Sequence, residues 1–257
     1  MTRTVPQRIR QPRVADLVAS RLRDDILSGR LTEGDVLPSQ ETLFQEFGVS
    51  PPALREAIHI LESDGLVSVR RGNMGGAVVH LPSAQRTAQM IGMVLQARTA
   101  TPADVSEALF YLEPICAGMC AAREDRLTEV VSYLEAEIEV QAEQFDDTSQ
   151  YVRNARRFHE AIVSRCGNES MILLVGSLEL IWSAHESSVR SDDGQPMSAK
   201  TRRAALRDHR RLTETIRDGN RDRAVRLARD HLSTARSSTL GVDRTIEAKR
   251  ISTNGHA

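Results

Sequence analysis

The stretch LPSQETLFQEFGVSPPALREAIHILESDGLV, residues 37–67, decides the fold of the first part of the chain. Ser39 and Ser50 each precede a helix-forming run, in the position of an N-cap, and Pro51 suits a first helical turn. Gly48 opens a three-residue turn between the two runs, and Gly65 ends the second run. The pattern predicts helices over about 40–46 and 51–64. The residues expected to face inward are Leu43, Phe44 and Phe47 in the first helix, and Leu54, Ala57, Ile58 and Leu61 in the second.

The residues on either side complete a recognisable order of elements. A helix is predicted from Val14 to Ile26, and two β-prone runs follow at 66–70 and 77–81, around the glycine-rich residues 71–76. Helix, helix, turn, helix and hairpin is the order of a winged helix-turn-helix, whose third helix enters the major groove. The glycine-rich run lacks the Gly-Lys-Ser/Thr ending of a nucleotide phosphate loop. A structural helical bundle with an ordinary hairpin is the remaining alternative.

The third helix is expected to expose Pro52, Arg55, Glu56, His59 and Glu62. Arg55 can reach a base edge or a phosphate from there, and a hairpin tip of small residues can approach a minor groove closely. The candidate DNA-binding residues are Ser39, Ser50, Pro52, Arg55, Arg70, Arg71, Asn73 and Gly75.

The charge balance restricts how this part of the chain attracts DNA. The 257 residues carry a formal net charge of -1, and residues 1–81 contain ten arginines and ten acidic residues. Attraction to phosphate must therefore be local. A basic N-terminal arm offers one source, with Arg3, Arg8, Arg10 and Arg13.

The remaining composition indicates a cytoplasmic protein with no membrane partner. No apolar run approaches the roughly 20 residues that cross a bilayer, and the N-terminus does not resemble a secretion signal. Three cysteines cannot form a disulfide framework. Cys116 and Cys120 lie one helical turn apart and are expected to be buried thiols, with metal binding as the alternative.

From Ser83 onward the sequence predicts only helices. One spans 84–97, and six follow at about 104–122, 126–145, 148–166, 169–189, 197–218 and 221–238. The fold class expected is mainly α: an N-terminal winged helix-turn-helix and an all-α antiparallel helical bundle. The expected domains are the DNA-binding domain with its arm (1–81), a linker helix (82–103), an effector-binding and dimerisation domain (104–240) and a flexible tail (241–257).

Three histidines of the second domain are candidates for a metal site. His209 lies ten residues before Gly219 and His231 twelve after it, so two antiparallel helices would bring them to about the same height. His159 lies eight residues before Gly167 and can join them. Three converging imidazoles suit Zn²⁺ or a similar divalent ion. Three solvated or hydrogen-bonded histidines are the alternative.

Several short segments of the first domain resemble the GntR family of bacterial regulators: residues 37–39, 47–50, 54–57 and 61–67, together with the wing at Arg70, Arg71 and Gly72. The resemblance implies a dimer that binds a short palindromic operator. Glu41 and Pro51 stand where the family often has arginine, which shifts base reading to Arg55, the wing or the arm.

The second domain resembles the FCD effector domain of the FadR branch of that family, through residues 158–159, 167–168, 208–209, 219 and 230–232. The resemblance implies a divalent metal held by an aspartate and three histidines, and His159, His209 and His231 match the histidines. Ala155 stands at the aspartate position, which a water or a carboxylate of the effector would fill.

The effector pocket is expected to be more apolar than is usual in that family. Leu109 and Phe110 stand before Leu112-Glu113, where an arginine that binds acidic effectors is frequent. A lipid-like or larger effector would suit such a pocket. Candidate pocket residues are Glu113, Trp182 and His185, with core packing as the alternative for the last two.

Together these features predict a regulator whose DNA affinity changes when a small molecule binds the helical domain. Two alternatives stay open at this point. One is a metal-dependent enzyme that uses the three histidines and docks through the winged helix, although no nucleophile elbow or metal-protease motif is present. The other is a direct metal sensor.

Overall fold

The computed structural model describes residues 13–70, 76–193 and 197–239, with 186–193 and 235–239 described by their backbone only. The chain divides into two compact units, Met1–Ser83 and Ala84–Ala257. The boundary lies at the start of the helix that the sequence analysis set apart as a linker.

The first unit has three helices and one hairpin. They are α1 (Val14–Leu27), α2 (Gln40–Phe47), α3 (Pro51–Ser63), β1 (Val67–Arg70) and β2 (Gly76–Val79). The strands pair antiparallel, with Val67 opposite Val79. Ser39 Oγ accepts a hydrogen bond from Thr42 N at 3.1 Å, and Ser50 Oγ accepts one from Ala53 N at 3.5 Å. Both serines therefore cap helices where the sequence predicted it.

The core of the first unit is built from the inner faces of these helices and of the hairpin. Leu43, Leu54 and Leu61 are almost fully buried in it. The prediction that Phe44 faces inward was wrong, because its side chain is 43% exposed. Leu43 and Phe47 lie one turn apart on the buried face, and Phe44 is rotated about 100° from Leu43.

The second unit is helical throughout its described residues. It consists of α4 (Ala84–Ala97), α5 (Pro102–Ala122), a π-helical turn (Leu127–Val131) leading into α6 (Ser132–Glu143), α7 (Thr148–Ser164), α8 (Glu169–Asp193), α9 (Ala199–Arg217) and α10 (Arg221–Thr239). Gly167 and Gly219 have φ of +77° and +71° and terminate α7 and α9. The predicted helices are present, and the main difference is the π turn at the start of the helix expected over 126–145.

Helix α5 forms the centre of the second unit and packs on α7, α8, α9 and α10. By length and composition alone this helix could cross a membrane, with a mean hydropathy of 1.2. Burial explains that composition, since 56% of this stretch is enclosed by the other helices. Ile115 of α5 is an exception to this burial, with its side chain 41% exposed.

Helix α4 also contributes to the core of the second unit. Ala88 is completely buried there, and the helix packs along α8. The three cysteines are buried free thiols. Burial raises the pKa of Cys120 to about 12, so this thiol stays protonated at neutral pH.

Candidate effector site and DNA-binding helix

Three helices of the second unit bring their histidines to one point. His159 lies on α7, His209 on α9 and His231 on α10, and one ring nitrogen of each lies within 4.8 Å of the others. The Nε2 atoms of His209 and His231 are 3.2 Å apart. The turn at Gly219 makes this possible, because it returns α10 antiparallel along α9.

The other ring nitrogen of each histidine is bound to an acceptor. His159 Nδ1 contacts Glu113 Oε1 at 2.5 Å, and His209 Nδ1 contacts the side-chain oxygen of Gln141 at 2.9 Å. His231 Nδ1 has a longer contact of 3.5 Å with Asp208 Oδ2. Since carboxylate and amide oxygens accept hydrogen bonds, each Nδ1 is the donor. The lone pair of each imidazole is then on Nε2.

This donor set fits a divalent metal. Two Nε2 lone pairs that face each other at 3.2 Å repel unless a cation or a proton lies between them. Nitrogens bound tetrahedrally to Zn²⁺ at 2.0–2.1 Å are about 3.3 Å apart, which agrees with the separation between His209 and His231, while the nitrogen of His159 lies within 4.8 Å of both. Hydrogen bonds from the second ring nitrogen to carboxylates or carbonyls are typical of metal-binding histidines.

Burial also favours the neutral form of the central histidine. Desolvation is the main cause that holds the pKa of His209 well below its usual value, and His231 and His159 add to it whenever they are protonated. A neutral imidazole is the form that binds a metal.

A buried polar network continues from the histidines. Arg156 Nη1 contacts Glu179 Oε2 at 2.6 Å, and the side chains of Glu179 and Glu113 share a hydrogen bond. Burial raises the pKa of Glu113, and it raises that of Glu179 to about 7 despite the opposing effect of Arg156. Two touching carboxyl groups in such surroundings hold one proton between them. With one such proton on the pair, the charge of the remaining carboxylate balances the charge of Arg156.

The histidines and this network border a cavity of about 170 Å³. Much of the remaining wall is apolar and includes Leu109, Phe110, Val152, Ala155 and Trp182. Glu113 lies in the wall beside His159. Trp182 also lines the cavity, whereas His185 does not belong to the wall and lies near Trp182, with 5.7 Å between the ring centroids.

Ala155 lies in the wall and presents only a methyl group, one turn before His159. Neighbouring Asn154 is buried but is not a wall residue. Four neighbours of the site were not predicted from the sequence: Gln141, Arg156, Glu179 and Asp208. Asp208 alone had a local signal, because it precedes His209.

In the first unit, α3 presents a polar face to solvent. Pro52, Arg55, Glu56, His59 and Glu62 are exposed, as the periodicity predicted. Arg13 forms an ion pair with Glu56 at 3.2 Å, and Arg70 is exposed at the end of β1. The candidates Arg71, Asn73 and Gly75, and the arginines of the arm before Arg13, lie outside the described residues.

Comparisons with known proteins agree with both halves of this description. Residues 14–79 match the gntR family of bacterial regulatory proteins, and residues 104–234 match the FCD domain. The HTH-type transcriptional repressor NanR of Klebsiella aerogenes is 25% identical over 225 residues, which cover 86% of this chain and 83% of the relative. NanR of Enterobacter sp. is 24% identical over 226 residues, with the same coverage.

A solved structure, Streptococcus agalactiae GntR, shows the same fold. It has a TM-score of 0.67 and 21% identity, over 87% of this chain and 99% of that one. The family matches and the NanR relatives are regulators and give no support to the metal-dependent enzyme considered above. The chain belongs to the GntR family of bacterial regulatory proteins, as a transcriptional regulator that joins a winged helix-turn-helix to an FCD domain.

Proposed function

We propose that this regulator binds a palindromic operator as a dimer, and that a small-molecule effector in the cavity of the second unit changes its affinity for DNA. A divalent metal on His159, His209 and His231 would form the base of the effector site. The observation that supports this best is the meeting of one ring nitrogen from each of three histidines at the wall of a cavity.

The bound metal would supply a positive charge and an open coordination position for an oxygen of the effector. Glu113, Gln141 and Asp208 would hold the imidazoles in the orientation that directs Nε2 to the ion. Ala155 leaves space beside His159 for a water or an effector carboxylate.

The rest of the cavity wall favours an effector with an apolar part, and the volume of about 170 Å³ limits that part to a small group, because a cavity of about 150 Å³ holds a benzene-sized molecule. Arg156, the basic residue of the wall, is already paired with Glu179. A second carboxylate on the effector would have to displace that ion pair, and removing one partner of a buried pair is costly. We therefore expect a monoanionic or neutral effector to bind better than a dicarboxylate of the same size.

Metal analysis of protein purified without added metal tests the site. We expect about one Zn²⁺ or similar ion per chain, and loss of that ion in His209→Ala. Cys166→Ser is a matched control, because Cys166 is buried in the same unit but is not part of the histidine group. Metal-free protein that also gains no thermal stability from added ZnCl₂, Mn²⁺ or Ni²⁺ would leave only hydrogen-bonded histidines.

Operator binding is tested separately with a DNA fragment from upstream of the gene that encodes this protein. Gel shifts and sedimentation are expected to show a dimer on a single site. A monomer that binds the fragment with full affinity would contradict the proposed assembly. A thermal-shift screen of monocarboxylates and matched dicarboxylates then identifies the effector class, since a ligand stabilises the state it binds.

A further inference from the structure

The charges of the second unit are strongly segregated along the chain. Residues 84–198 contain nine basic and eighteen acidic side chains, whereas residues 199–234 contain eleven basic and five acidic ones. The latter range covers α9 and most of α10. A nearly neutral protein thus carries a local excess of positive charge on one helical pair.

Most of this excess lies on one face of α9. Lys200, Arg203, Arg207, Arg210 and Arg211 are all exposed, and their spacing of three and four residues places them along one side of the helix. We call these five residues the basic stripe. The opposite side of α9 is buried and carries His209 and Leu206.

The arginines of the basic stripe are not held in ion pairs within the described residues. Asp208 lies on the cavity side, where its hydrogen bond with His231 is the main reason for its lowered pKa, and the charges of Arg207 and Arg211 contribute less. Arg203 lies over the ring of Phe145 at 5.7 Å. By contrast, Arg217 at the far end of α9 is paired with Glu135. Four guanidinium groups thus remain available to an external anion.

We propose that the basic stripe binds the phosphate backbone of duplex DNA, so that the second unit adds to the DNA affinity of the winged helix. The partner is inferred from charge. Residues 1–81 contain as many acidic residues as arginines, yet phosphate neutralisation supplies much of the affinity of DNA-binding proteins. The basic stripe on α9 supplies the excess of positive charge that residues 1–81 lack.

The dimensions and chemistry of the stripe suit this partner. Arg203 to Arg211 span about 12 Å at 1.5 Å per residue, which is the axial length of about three or four phosphates of one strand. One guanidinium group can bind two phosphate oxygens at once, and four of the five residues of the basic stripe are arginines. Phosphate contacts carry no sequence information, so the stripe would add affinity without selectivity.

The test compares full-length proteins on two labelled duplexes, the promoter fragment and a random-sequence duplex of equal length, from 50 to 300 mM KCl. The variant is Arg203→Gln/Arg207→Gln/Arg210→Gln. The control is Arg98→Gln/Arg153→Gln/Arg223→Gln, which removes the same charge from exposed positions elsewhere in the second unit.

If the three substituted arginines contact three phosphates, the slope of log K against log [salt] is shallower in the variant than in the wild type by about 2 to 3. Affinity at 150 mM falls about tenfold or more, equally for both duplexes, while the control changes less than about twofold. All substituted side chains are exposed, and thermal melting checks the fold. Arg207→Gln, with an expected slope change of about 0.9, replaces the triple variant if that variant fails to fold.

Unchanged slope and affinity in a folded stripe variant would overturn the proposal. So would an effect confined to self-association in sedimentation, which would indicate that the stripe meets the acidic residues of a second copy. Neither result affects the proposed operator and effector functions, because Arg55 and the three histidines are intact in the stripe variant.

Discussion

Single side chains determine the chemistry of both units. In the first unit, Arg55 is the exposed arginine of the helix that follows Ser50. In the second, the Nδ1 contact of each histidine decides which nitrogen carries the lone pair, and Glu113 and Glu179 share a buried environment with Arg156. Each of these roles can be tested by one substitution.

Arg55→Ala is expected to weaken binding to the promoter fragment by about 1–3 kcal/mol, if the guanidinium reads a base edge. Binding to a random duplex should change much less. Fluorescence anisotropy at fixed salt gives both values. Arg21→Ala removes an equal charge from the exposed face of α1 and serves as the control. Equal losses on both duplexes would show that Arg55 contacts phosphate only.

Glu179 makes the stability of the metal-free protein depend on pH. Burial, opposed by Arg156 and reinforced by Glu113, raises its pKa to about 7, above the usual value of 4.5. The folded protein therefore binds this proton more tightly than the unfolded chain does. The resulting stability is complete below about pH 4.5 and is lost as the pH rises through 7.

The measurement is urea unfolding of the wild type and Glu179→Gln between pH 4.5 and 8, with EDTA present. The stability of the wild type relative to the variant should fall by on the order of 2 kcal/mol over that range. The comparison with the variant cancels the opposite contribution of His209, whose lowered pKa favours the folded state as the pH rises. Parallel curves would show that Glu179 titrates normally.

At the scale of elements, the turns between helices position the site. The left-handed turn at Gly219 reverses the chain, so that α9 and α10 place His209 against His231. Arg126 supports the turn, because its Nε donates to the carbonyl oxygen of Arg217 at 3.1 Å. A side chain at Gly219 would meet that guanidinium at 3.2 Å.

Gly219→Ala is therefore expected to lower the free energy of unfolding by about 1–2 kcal/mol, through backbone strain and contact with Arg126. Gly92→Ala provides a control of opposite sign. It lies inside α4 with nothing within 4 Å of an added methyl group, so greater helix propensity should stabilise the protein by about 0.5–1 kcal/mol. Chemical denaturation measures both, and a neutral Gly219→Ala would mean that the turn relaxes freely.

For the whole molecule, the functional question is how the effector site and the DNA-binding unit are coupled. A ligand shifts DNA affinity only by its difference in affinity for the two states of the protein. Linkage also requires promoter DNA to change the affinity for the effector by the same factor. A metal that only completes the effector site has no such difference in affinity for the two states, whereas a metal that is itself the signal must have one.

With ZnCl₂ as the only addition, we expect a higher melting temperature and a change in promoter affinity of less than about twofold. A metabolite that raises the melting temperature further should change that affinity by about 5–150-fold. Calorimetry with and without the promoter fragment checks the reciprocal effect. A large change with Zn²⁺ alone would favour the direct metal sensor.

The sequence by itself determined the helices, the winged helix order and the nearness of His209 to His231. These features follow from local rules, because caps such as Ser39 and Ser50, 3.6-residue periodicity and left-handed glycines act over a few residues. The periodicity of apolar residues failed at Phe44, because this residue lies beside the buried face of α2 and is not part of it.

The tertiary structure alone decided the environment of the site. Glu113 and His159 are 46 residues apart, Gln141 and His209 are 68 apart, and Arg156 and Glu179 lie on different helices. No local pattern specifies such contacts, because they depend on how whole helices rotate and slide against one another as their apolar faces pack. That packing buries the carboxyl groups, raises their pKa and leaves the cavity beside the three imidazoles.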